Sequence, residues 1–170
     1  MLSPILMHRN YILLLSFFLM TSGVLTAQKK YTAKDSVTFF ARLDTVEELI
    51  EKRQFDAALT SSNELLQFSE NNKFYRGQAW ALIKTNDILI EKEVDSNSVT
   101  GVKKIIEIGL QLNDKLITGI GYLQTAQFKI YNNKSGEAEL NFEKALKLLP
   151  QNNEDTSLAW NDRGYNAGLT

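Results

Sequence analysis

The stretch GEAELNFEKALKLLP, residues 136–150, reads as an amphipathic helix that stops at a proline. Within it Ala138 and Ala145 are small and Phe142 is the lone aromatic. Such residues are either ordinary core filler or one copy of a repeated unit, and the surrounding chain decides which. From Asp35 onward apolar residues follow helical spacing, and Pro150 is the only proline after the N-terminal segment. The pattern is all-α. Helices are expected at about 35–52, 54–69, 73–92, 98–113, 115–132, 135–149 and 155–168. The breaks between them, NNK at 71–73, EVDSNS at 93–98, NNKS at 132–135 and QNNEDTS at 151–157, are rich in Asn, Ser and Asp. The short side chains of these residues hydrogen-bond local backbone and favour turns and caps.

Helices joined in pairs by short turns call for a test of self-similarity. Trp80, Tyr122 and Trp160 stand near the start of the first helix of successive pairs, which sets a period near 40. Ala58 and Ala138 stand in second helices, and their separation equals that of Trp80 and Trp160, two full periods. Counted from Tyr122, small residues follow at Ala126 and Ala138, then come Phe142, Ala145 and Pro150.

This order resembles the tetratricopeptide repeat, whose pattern is a large aromatic, a small residue one turn later, a small residue early in the second helix, an aromatic, an alanine and a closing proline. Thr125 and Lys129 depart from it, standing where the family prefers Leu and Tyr. AWNDRG repeats the aromatic-to-small spacing with Trp160 and Gly164, and RQFDAAL supplies Phe55 and Ala58 as the start of another second helix. The resemblance covers roughly residues 36–170 and implies an α-solenoid of about three and a half helix-turn-helix repeats. Ala58, Ala126, Ala138 and Ala145 would allow close helix approach, Trp80, Tyr122, Phe142 and Trp160 would fill the wider gaps, and Gly164 and Pro150 would complete the unit. The first helix of each pair would line a groove presenting Gln78, Ala81, Thr85 and Ile88, then Ile120, Leu123, Gln127 and Ile130. The implied partner is a protein or peptide. Some members of the family clamp a carboxylate-terminated peptide with Lys and Asn, which Ala81, Thr85, Leu123 and Gln127 do not provide.

Composition narrows the chemistry. Nineteen Lys and Arg face 20 Asp and Glu, so no positive excess exists to neutralise a nucleic-acid backbone or an acidic membrane. His8 and Arg9 precede the apolar run YILLLSFFLM and then TSGVLTAQ, the order of a secretory signal peptide with a cut after Ala27. The run is shorter than the roughly 20 residues of a membrane span. An uncleaved anchor is the alternative, and Met7 is an alternative start. Residues 1–27 are thus read as signal, 28–35 as a short leader and 36–170 as the repeat domain, cut short at its C-terminal end. Membrane contact is expected only through the N-terminal segment or a region beyond residue 170.

His8 is the only histidine and there is no cysteine, so the mature chain would lack the usual general base, a thiol nucleophile and both soft metal ligands. No catalytic, cofactor-binding or metal-binding residue is expected. GIGYLQ, residues 119–124, has only two glycines of a dinucleotide fingerprint and no preceding strand. Glu47 with Glu48 and Glu137 with Glu139 are too closely spaced on a helix to face one another. NKS at 133–135 matches a glycosylation sequon by pattern alone. The expected protein is an exported, periplasmic or envelope-located binding module. The leader and the long period also resemble the sensor regions of bacterial two-component histidine kinases and related transcription regulators. A fragment of such a protein and a periplasmic assembly scaffold remain as alternatives.

Overall fold

The computed structural model describes residues 32–92 and 100–168. The proposed signal with its cut after Ala27, and the EVDSNS break, lie outside the described residues. Seven α-helices make up the described chain: α1 (Ala33–Glu51), α2 (Phe55–Asn71), α3 (Tyr75–Glu91), α4 (Thr100–Leu112), α5 (Lys115–Tyr131), α6 (Ser135–Leu148) and α7 (Glu154–Gly168). Every helix end lies within two residues of its expected place.

Four of the turns are copies of one connector. Arg53, Lys73, Asn113 and Asn133 have φ of 55°, 53°, 51° and 56°. They follow α1, α2, α4 and α5, so that Arg53 and Asn133 are two full periods apart and Lys73 and Asn113 one. After each left-handed residue the next N–H returns to a carbonyl five residues back, as in Gln54 to Leu49 (2.8 Å), Phe74 to Ser69 (2.8 Å), Asp114 to Gly109 (2.8 Å) and Lys134 to Lys129 (2.9 Å). With the companion bond from the left-handed residue itself, this is a Schellman closure, which satisfies carbonyls orphaned at the helix end. The residue that follows the left-handed one then opens the next helix, its carbonyl accepting from Ala58, Gln78, Thr118 and Ala138 in turn. Helix plus connector is therefore the half-period of the chain, and a pair is the full one.

Pro150 ends α6 differently. It holds Leu149 extended at ψ 142°, as a following proline requires, and no left-handed residue closes this turn. Thr156 Oγ1 donates to the Pro150 carbonyl and so anchors the first turn of α7.

Sequence neighbours pack antiparallel, and α1, α3, α5 and α7 also touch one another in that order. Bonds such as Glu47 to Lys84 and Gln124 to Asp87, both 37 residues apart, run these four helices in one direction. They form a row, with α2, α4 and α6 each packed on the row helices before and after it. One core holds Phe39, Leu43, Val46, Ala58, Leu65, Ala81 and Ile88, the other Ile83, Ile105, Ile120, Ala126, Ala138, Phe142 and Ala145 among others, and Trp80 lies against both. Ala58, Ala126, Ala138, Phe142 and Ala145 are all 0% exposed, as their packing role demands. Trp160 at 56% exposed does not fill a gap, nor does exposed Gly164, where an added Cβ would meet open space. Both lie on exposed parts of α7, where the Arg163 guanidinium stands 5.5 Å from the Trp160 ring. Tyr122 is only half-buried, with the Lys144 ammonium 5.2 Å from its ring, and Pro150 is exposed.

Two glycines admit the tightest contacts around α5. A Cβ on Gly109 would lie 2.4 Å from Thr118 Oγ1 and 2.8 Å from the Thr118 backbone nitrogen, and one on Gly121 2.7 Å from Ile106 Cγ1. Gly109→Ala therefore costs about 1–3 kcal/mol by urea unfolding, since backbone and not a flexible chain end must move. Gly164→Ala, into open space, is neutral or stabilises by up to about 1 kcal/mol. At a left-handed position, Lys73→Gly relieves a side-chain clash and raises stability by about 0.5–1 kcal/mol, read as a shift in urea midpoint.

Candidate functional site

The row helices have two sides. In α5, Thr118 and Gly121 meet α4, while Gly119 meets Leu148 and Leu149 at the end of α6 and Tyr122 meets Lys144. At 3.6 residues per turn, Leu116, Ile120, Gln127 and Tyr131 lie on the opposite side, away from α4 and α6. One period earlier the same positions in α3 are Arg76, Trp80, Asp87 and Glu91, and in α1 they are Ser36, Phe40, Glu47 and Glu51. This outer side is the surface that no even-numbered helix covers.

Its centre is a polar network joining the row. Lys84 Nζ lies 2.9 Å from Glu47 Oε1 of α1 and 3.7 Å from Asp87 Oδ2 on its own helix. Gln124 of α5 donates to Asp87 Oδ1 at 2.7 Å and to the Ile83 carbonyl at 3.1 Å, and accepts from Asn86 Nδ2 at 3.1 Å. Asn86 and Gln124 are 1% and 2% exposed, so these amides satisfy one another in the absence of water. At the next step of the row Gln127 donates to Asp162 of α7 at 2.8 Å.

Burial pushes the Asp87 carboxyl up to about 6; the Lys84 charge and the Gln124 bond oppose the rise, and Asp155 and Glu47 add to it. Burial works against the Lys84 charge too, yet Asp87, Glu47 and Asp155 outweigh it and hold the ammonium above its ordinary value. Asp155 is raised by burial and by Glu154, and Asp162 by burial against the Gln127 bond. Asp87 nevertheless keeps 36% of its side chain exposed. Asp155 lies in the first turn of α7, yet its charge acts on Lys84 and Asp87 of α3. Ile120, on the outer side of α5, is only 3% exposed.

The residues expected to line a groove fall elsewhere. Gln78, Ala81, Ile88, Ile120 and Leu123 are 6%, 0%, 0%, 3% and 2% exposed and present no surface to a ligand. In α3 the expectation took the wrong face. Trp80 matches Ile120 by the repeat step, whereas pairing Trp80 with Tyr122 slips the phase by two residues, about 200° around a helix. Gln78 and Thr85 therefore turn toward α2: Gln78 Nε2 reaches the Ser69 carbonyl and Thr85 shares a hydrogen bond with Ser62 Oγ at 2.9 Å. Thr85 also lines a shallow cavity of about 350 Å³ with Glu70, Leu82, Asn86, Leu89, Gly101 and Lys104, between α2 and α4. In α5 the face was the outer one, but Ile120 and Leu123 are buried there, leaving only Gln127 and Ile130 partly open. The outer residues that sequence reasoning missed are Glu47, Trp80, Lys84, Asp87 and Asp155. Glu47 and Asp87 fall in one frame with Gln127 at the repeat step, and that step was the available signal.

Among the described residues no group of three or more His, Cys, Asp or Glu side chains is placed to hold a metal ion. Among them also, no helix is long and apolar enough to cross a membrane. Comparison with protein-family models, with curated proteins and with solved structures finds no match.

The electrostatics give a signed prediction. The folded-state value of Asp87, about 6, lies above the ordinary 3.8, so the fold favours the protonated carboxyl. Its contribution to stability is full below about pH 4 and is lost as pH rises through 6. Asp87→Asn is therefore expected to raise the melting temperature at pH 7.5, with the gain vanishing near pH 4; thermal melts across that range check it.

Proposed function

We propose that this protein is a non-catalytic interaction module, a tetratricopeptide-like α-solenoid of about three and a half helix pairs, whose ligand is a protein or peptide segment. The observation that carries the reading is the parallel row of α1, α3, α5 and α7. Its outer side displays Trp80 and, on successive steps of a single frame, Glu47, Asp87 and Gln127. A row of parallel helices offers an extended ligand a series of similar steps, and one short connector, repeated at four of the turns, helps to hold those steps rigid. The even spacing of helices and the close packing at Ala58, Ala126, Ala138 and Ala145 support the solenoid reading. Nothing in the outer network calls for bond chemistry, since its polar groups are satisfied by one another.

In this reading the module acts outside the inner membrane, in the periplasm or cell envelope, after export by the N-terminal apolar segment. A second reading is favoured by α7, where Leu158, Trp160 and Tyr165 are 42%, 56% and 66% exposed. It makes the array the sensory part of a larger signalling assembly, of the histidine-kinase or transcription-regulator kind, with the α7 face against another component.

The test is cross-linking and affinity capture with the full chain from envelope extract. A partner retained by the unaltered chain and by Glu107→Gln, and lost with Trp80→Ala plus Asp87→Asn, is the expected outcome. Capture that survives the double change places binding away from the outer side. Leu158→Ser with Tyr165→Ser separates the two readings, because it releases the partner only if α7 is the contact.

A further inference from the structure

We infer that the outer side of the helix row takes an extended, positively charged peptide segment, with a lysine or arginine side chain entering beside Asp87 and Asp155 and a neighbouring apolar residue lying on Trp80. The inference rests on the peptide-binding reading above and adds the chemistry of the ligand.

Charge distribution is the first support. The chain as a whole is almost neutral, at −1. The outer side is not: Glu47, Asp87, Asp155 and Asp162 share it with Lys84, and its C-terminal end adds exposed Glu51 and Glu91. Lys84 is already engaged by Glu47 and Asp87 and is 13% exposed, so it has little left to offer a further anion. Around it the Glu47 and Asp87 carboxylates meet one ammonium and Asp155 adds its charge from α7, which leaves a local excess of negative charge. Arg76 is taken by Asp114, and Arg163 by Glu139.

The shape of the floor decides which cation fits. Asp87 and Asp155 both resist ionisation because neighbouring protein strips their water, and a cation entering between them would relieve that resistance. A metal ion is not suited to the floor, since the carboxylates do not gather as a ligand set. A guanidinium or ammonium on a flexible stem is suited, because it needs hydrogen bonds spread over several oxygens rather than a closed shell. Trp80 stands one helical turn before Lys84 on the same helix and is only half-buried, so its ring can cover an apolar side chain or the aliphatic stem of the cation. An acidic peptide, a nucleic-acid backbone and an anionic lipid surface would all meet like charge here.

The experiment uses fluorescence anisotropy with the full chain and three labelled nonapeptides: alternating Lys and Leu, alternating Glu and Leu, and alternating Lys and Ser. The Lys-Leu peptide is expected to bind at least about tenfold more tightly than the Glu-Leu peptide, and more tightly than Lys-Ser. Asp87→Asn with Asp155→Asn should weaken it about tenfold, and Trp80→Ala should reduce its advantage over Lys-Ser. Glu107→Gln with Glu143→Gln removes the same charge from α4 and α6 and should leave affinity within about twofold. Affinity should also fall between pH 7.5 and pH 5, as the Asp87 carboxyl, which faces Lys84, Glu47 and Asp155, takes up a proton. Because Asp87→Asn is expected to stabilise the fold, a urea midpoint equal to or above that of the unaltered chain keeps lost binding from being lost folding.

Equal binding of all three peptides, or equal loss with the α4 and α6 changes, overturns the inference. Preference for Glu-Leu that still depends on Trp80 overturns the charge assignment while upholding peptide binding. Failure to bind any of the three also overturns the charge assignment, and the capture experiment then judges the binding reading by itself.

Discussion

The left-handed residue that closes each of four helices is the constraint on which the rest depends. At Arg53, Lys73, Asn113 and Asn133 the backbone reverses within four residues, and the same bond from five residues back ties each closure. A connector that short admits only antiparallel neighbours. Used twice between α1 and α3, it brings the second of them back into the direction of the first. The parallel row and the outer side extend that direction through α5 and α7, whose contacts continue it. None of the four closures uses glycine, so each carries a steric cost of about 1 kcal/mol that the packed helices on either side hold in place.

The polar network at the row's centre shows the opposite balance. Asn86 and Gln124 are almost wholly buried yet satisfy one another, so they cost little. Asp87, a single residue further along, is held in a setting that favours its neutral form at a pH where water would ionise it. A leucine or asparagine there would serve folding better. Carboxyls perturbed in this way occur more often at functional sites than elsewhere.

Most of the fold was legible in the sequence because it rests on local signals. Helical periodicity and Asn-rich breaks put every helix end within two residues, and the alanines at 58, 126, 138 and 145 are wholly buried. The surface was legible in part only. A helix turns through about 100° per residue, so an aromatic marker two positions out of phase, Tyr122 for Ile120, reverses the face assigned in α3. Even the correct face in α5 did not guarantee exposure, since α5 packs against α3 on one side and α7 on the other and Ile120 is buried. Periodicity carries phase along one helix; it carries nothing about how far a row curves.

The buried amide pair of Asn86 and Gln124 has one further consequence. Apolar ridges tolerate sliding, since one methyl replaces another at small loss, and a stack held only by them can creep along its helix axes. An amide pair has a single register. Displacing α5 by one turn, about 5.4 Å, would leave both amides facing hydrocarbon with their hydrogen bonds unmade. The stack between α3 and α5 is thereby keyed, and mechanical load along it is met by abrupt separation of the pair rather than by gradual slip.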